Sequence, residues 1–148
     1  MNYFVCTIGE FGEYSDRIAI LNECLRRNVY MVHRDARWPA PIGNIQKGDT
    51  LLLKLQSQLV AWGIAEAPVH NETIGNGWDH IVDVEKWDLY DADNPANGVH
   101  HYGIQEATQS GAGQFAVVKQ VDAGWASVVP IRTGRQELLG GWSRRWLT

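Results

Sequence analysis

The segment from Thr50 to Ala67 constrains the fold most. Thr50 to Gln56 alternates, with Leu51, Leu53 and Leu55 on one side and Lys54 and Gln56 on the other, the period of a half-buried strand. Ser57-Gln58 reads as a tight turn into a second apolar run, Leu59 to Ala67, so the segment predicts an antiparallel hairpin entered through a Lys47-Gly48-Asp49 turn. A hairpin with one apolar face is not stable alone. The rest of the chain must cover it.

Suitable partners lie on both sides. Asn2 to Ile8 is aromatic and β-branched and predicts a buried first strand, broken by Gly9 and Gly12. A helix is expected over 14–28, with Ser15 as N-cap, Asp16 in its first turn, and Ile18, Leu21, Cys24 and Leu25 on its apolar face. Arg26 and Arg27 suit its last turn and Asn28 its C′ position. Val29 to Val32 predicts a short strand. His33 to Trp38 with Pro39 and Pro41 predicts a rigid loop and no helix. Downstream, Pro68 to Gly77 and Asp91 to Gly98 read as loops, and the alternation from His80 to Trp87 as a strand. Gln114 to Val121 and Ser127 to Ile131 are further strand candidates, while His100 to Gln109 and Gln136 to Trp146 are short-helix candidates. No linker or repeat divides the 148 residues, so one domain over 1–148 is expected. Five or six short strands with peripheral helices point to an α+β fold built on a small curled β-barrel.

The chain carries a net charge of −4, which alone argues against a protein that coats nucleic acid. The charge is unevenly spread, however: residues 1–48 carry net +1, residues 49–118 net −8 and residues 119–148 net +3. Basic groups gather at Arg34 and Arg37 and again at Arg132, Arg135, Arg144 and Arg145, so a positive face is compatible with the negative total. No apolar run reaches membrane-spanning length and the first residues lack a signal-peptide layout. Cys6 and Cys24 have no metal spacing, so a reducing cytoplasm is the expected location.

Catalytic chemistry finds little to work with. Cys6 falls on a buried strand and Cys24 on an apolar helix face, where thiols pack and do not attack. His33, His70, His80, His100 and His101 show no ligand spacing, so no metal and no cofactor is expected. Asp83 and Glu85 share a strand face without any sign of acid and base roles. Seven tryptophans are the more telling feature. Trp62, Trp87 and Trp125 are expected in the core. Trp38, between Arg37 and Pro39, and Trp78, at the end of a glycine-rich loop, are placed to offer rings to a planar base. Tyr30 lies on the strand feeding the Arg34/Arg37 segment.

The order of these motifs resembles the EVE and YTH group of the PUA-like superfamily over roughly residues 2–90. The resemblance is carried by Tyr3-Phe4-Val5-Cys6-Thr7 with Glu13-Tyr14-Ser15, by Val32 to Arg37, by Ile45 to Leu53, by Trp62 to Glu66, and by Trp78 with Ile81 to Val84. It implies a curled barrel whose aromatic pocket holds a flipped or single-stranded modified base. YTH domains read N6-methyladenine in RNA, and EVE-like domains occur beside restriction nucleases that act on modified cytosine. By position, the resemblance makes Tyr30 and Trp78 cage walls, Thr7 the pocket floor, and Arg34, Arg37 and Trp38 the rim. Outside the resemblance, the second basic group makes Arg132 and Arg135 expected contacts to the nucleic-acid backbone.

The expected function is therefore a non-catalytic reader of a methylated or hydroxymethylated base in DNA or RNA. Its expected setting is a modification-dependent restriction or RNA-modification system, beside a nuclease or other effector and away from membranes. The alternatives are a small ASCH-like enzyme, a ribonuclease or amide hydrolase drawing on Lys54 or Lys47, and a protein-interaction module built on Trp142 and Trp146.

Overall fold

Tyr3–Thr7 (β1) and Thr50–Leu55 (β3) lie side by side in parallel at the middle of a sheet, and their burial on both faces organises the molecule. The computed structural model describes residues 2–8, 17–33, 40–56, 58–72, 77–100, 118–121 and 123–129. Among these, one α-helix and nine strands form two sheets in an α+β arrangement. β3 turns back antiparallel into Gln58–Ile64 (β4), as the hairpin pattern predicts. The turn falls one residue earlier than expected, however: Leu55 pairs with Gln58, and Gln56 takes a φ of 56°, the left-handed geometry that two-residue hairpin turns demand.

The half-buried alternation is also corrected. Leu52 is as fully buried as Leu51 and Leu53, because both faces of the sheet are covered. Phe4, Cys6, Leu51 and Leu53 face one apolar cluster, whereas Val5, Leu52, Leu59, Trp62, Val121 and Trp125 form a second on the opposite face. A register shift after Leu53 lets Val60 and Ala61 both join the first cluster before Trp62 returns to the second. The large sheet is completed by Asp88–Leu89 (β7) and Val99–His100 (β8) against β4, and by Val118–Val121 (β9) antiparallel to β1.

The helix (α1) spans Arg17–Arg27 and ends at Asn28, whose φ of 53° makes it the left-handed C′ residue. Ser15 and Asp16 lie outside the described residues. Its buried face is Ile20, Leu21 and Cys24. Ile18, expected on that face, is 45% exposed, because at about 100° per residue it sits well round from Cys24. Val29–Val32 (β2) follows and is wholly buried. It pairs antiparallel with His80–Asp83 (β6), which in turn pairs with His70–Asn71 (β5), giving the second sheet. An isolated bridge, Ala65 to Val84, joins the two sheets at the end of β4. Two segments differ from expectation. Ala40–Asn44 forms a 3-10 turn just after the first proline, and Ala123–Val128 is a 3-10 helix where Ser127 and Val128 were expected in a strand. His100 lies in β8, while 101–109 and 136–146 fall outside the described residues.

The Lys47-Gly48-Asp49 turn ties the start of the chain to the hairpin. Asp49 is buried, and its carboxylate accepts hydrogen bonds from the backbone N–H of Asn2 at 2.9 Å and of Gln46 at 2.8 Å. Asp49→Ala should therefore cost roughly 2–3 kcal/mol in urea unfolding, because two amides lose a charged acceptor. A loss below about 0.5 kcal/mol would show that neither bond matters to stability.

Candidate functional site

The seam between β2 and β6 sets the geometry of the candidate site. Because Val32 pairs with His80, the residues just beyond, His33 and Trp78, are brought together at the ladder's end. Their rings meet edge to face with centroids 5.4 Å apart. Gly77 makes this packing feasible. Its φ of 88° suits glycine, and a β-carbon there would run into the His33 imidazole. Trp78 is 6% exposed, and its indole N–H has no hydrogen-bond partner among the described residues. His33, the last described residue before Arg34 in the sequence, is itself packed against the Trp78 ring.

Tyr30 and Thr7 occupy different positions from those the resemblance implies. Tyr30 is 0% exposed, so in this conformation it is a core residue and not an open cage wall. Its hydroxyl donates to the Thr7 carbonyl at 2.7 Å, tying β2 to the end of β1. Burial, reinforced by the neighbouring Cys6 and Cys24, holds its phenol well above the ordinary range. Tyr30 thus meets the backbone of Thr7. The Thr7 side chain follows Tyr3 and Val5 onto the other face of the sheet, where its hydroxyl is buried without a partner among the described residues. Trp38, Arg34, Arg37, Arg132 and Arg135 lie outside the described residues.

The other reactive groups are structural. Cys6 and Cys24 are fully buried; desolvation pushes both thiols up, Cys24 to about 12, which leaves no thiolate for nucleophilic attack. His70 Nε2 bonds the Asp83 carboxylate at 3.0 Å and His80 Nδ1 bonds the Asn71 side chain at 3.0 Å, on the β5–β6 edge. Among the described residues no group of three His, Cys, Asp or Glu side chains is placed to hold a metal ion, and no helix is long and apolar enough to cross a membrane. An open groove of about 410 Å³ lies at the other end of β2, between Leu25, Asn28, Glu85, Lys86, Trp87 and Leu89. Trp62, Trp87 and Trp125 are buried, as expected. Sequence reasoning overlooked His33 as the ring partner of Trp78. The available signal was its position, one residue past a buried strand and one before Arg34.

No protein-family model and no curated protein matches the chain. Solved structures do. Protein Atu2648 from Agrobacterium tumefaciens aligns with a TM-score of 0.52 at 11% identity, over 86% of this chain and 90% of that one. Rpa0253 from Rhodopseudomonas palustris aligns with a TM-score of 0.50 at 13% identity, over the same shares. At these identities the likeness bears on the fold alone.

Proposed function

We propose that the domain is a non-catalytic reader of a modified base in nucleic acid. In this reading it is an EVE- or YTH-like member of the PUA-like superfamily whose two sheets curl into a small barrel. The observation that carries the reading is Trp78: a ring at the end of the β2–β6 seam, packed against His33, with a buried N–H that no group among the described residues satisfies. Leaving such a donor unpaired costs about 1–3 kcal/mol, which an acceptor on a bound base offsets. His33 packs against the ring in the free protein. Base entry displaces it, and Trp78 then stacks on the base, a contact contributing about 1–3 kcal/mol. Tyr30 serves as a rigid support beneath this site. Arg34, Arg37 and Trp38 form the rim, and Arg132 and Arg135 add backbone contacts. Base extrusion, where the substrate is duplex, costs a few kcal/mol that stacking and phosphate contacts together must exceed.

Such a reader works beside an effector, for example a nuclease in a modification-dependent restriction system or an RNA-modification partner, in the cytoplasm. The phosphate role of the rim is tested by Arg34→Ala/Arg37→Ala. The double variant should bind every oligonucleotide more weakly and lower the slope of log affinity against log salt by about 1.4 on a single strand, 0.7 for each contact. An unchanged slope would remove both arginines from the interface.

A further inference from the structure

The second face of the large sheet carries a polar patch that the base site does not use. Along β1, Tyr3, Val5 and Thr7 share this face. Leu52 and Lys54 share it on β3, as do Lys119 and Val121 on β9. The register places Thr7 directly beside Lys54, and Val5 between Leu52 and Lys119. Lys54 and Lys119 therefore flank the end of β1. From strand spacing and rise their Cα atoms stand about 12 Å apart, a gap that two lysine stems reach across. Both lysines are partly buried, neither makes an ion pair among the described residues, and burial lowers the pKa of Lys54. The one described carboxylate strand-paired on this face, Asp88 opposite Trp62, is separated from Lys54 by the whole of β4.

Unpartnered donors also gather on this face. Four buried side-chain polar atoms have no partner among the described residues, and three of them belong to this face: Thr7 Oγ1, Trp62 Nε1 and Trp125 Nε1. All three can donate, and so can both ammonium groups. With donors in excess, and no carboxylate among the described residues strand-paired beside either lysine, the face suits a ligand that only accepts, of which a phosphate diester is the clearest case.

We propose that Lys54, Thr7 and Lys119 form a phosphate-binding patch, and that a nucleic-acid backbone crosses the end of β1 there. The nucleic-acid part rests on the reader function above; the phosphate chemistry stands without it. Thr7 links the two regions, since its carbonyl receives Tyr30 on the first face while its hydroxyl faces the patch.

The test uses the full chain, a short single-stranded oligonucleotide and, separately, inorganic phosphate, with thermal melts to confirm that each variant folds. Lys54→Met and Lys119→Met keep the apolar stems. Each should weaken oligonucleotide binding about 3- to 10-fold at low salt and lower the salt slope by about 0.7. Thr7→Val keeps the β-branched shape and should weaken binding by a similar factor with the slope unchanged, because the hydroxyl is neutral. Inorganic phosphate should shift the side-chain NMR signals of Lys54 and Lys119 in the wild type. If the oligonucleotide binds and all three variants match the wild type in affinity and slope, the patch is overturned and the reader function stands. If no oligonucleotide binds but phosphate still shifts both lysine signals, the patch stands and the reader function falls. Absence of both responses removes the two together.

Discussion

Trp78→Ala is expected to cost about 3–5 kcal/mol of stability, close to unfolding a domain of ordinary stability. The ring is 6% exposed, belongs to the main apolar cluster and receives the edge of His33, so its removal opens a cavity at the β2–β6 seam. Sequence position alone suggested a loop ring available to ligand and dispensable to the fold. Its burial makes it structural as well, and alanine therefore confounds stability with binding. Trp78→Phe separates them. Phenylalanine retains most of the packing, and the lost N–H has no partner among the described residues, so unfolding should shift by no more than about 1.5 kcal/mol. Binding to the modified base should weaken about 5- to 10-fold, the equivalent of one hydrogen bond. Equal affinity for wild type and Trp78→Phe would show that the indole N–H meets no ligand.

Gly63→Ala should cost about 3 kcal/mol although it adds only a methyl group. A β-carbon at Gly63 would lie 2.5 Å from Val84 Cγ1, 3.0 Å from the Lys86 carbonyl oxygen and 3.1 Å from Trp87 Cε3. The valine methyl can move; the other two groups cannot do so cheaply. Trp87 is fixed by its indole N–H to the Val29 carbonyl at 2.9 Å and by its backbone N–H to the Asn28 side chain at 3.2 Å. The added methyl therefore pushes β4 away from the β6–β7 connection, and overpacking of this kind typically costs 1–3 kcal/mol. Urea unfolding should show a lowered midpoint at an unchanged slope. A midpoint within error of wild type would mean that the two segments are not in tight contact.

How much of this was legible in the sequence depends on scale. Val29–Val32 and the hairpin stood out because four or more consecutive residues shared one pattern. The pairs His70–Asn71, Asp88–Leu89 and Val99–His100 are too short to have a period, and only tertiary pairing makes them strands. Alternation puts Leu52 on the face opposite Leu51 and Leu53 and cannot reveal that a second layer covers it. That layer is built by Trp62, Trp125 and Val121 from distant parts of the chain. The candidate site shows the same limit. Trp78 stood out as an aromatic at a loop exit, whereas the full burial of Tyr30 and the placement of the Thr7 side chain on the opposite face of the sheet depend on strand register, which no local motif encodes.

The most direct measurement of the central claim is an affinity panel at one fixed salt concentration, with methylated, hydroxymethylated and unmodified versions of the same oligonucleotide in DNA and in RNA. A reader should bind one modified version at least 10-fold more tightly than its unmodified counterpart, a difference of about 1.4 kcal/mol. Equal affinity for every version, or no binding to any, would contradict it.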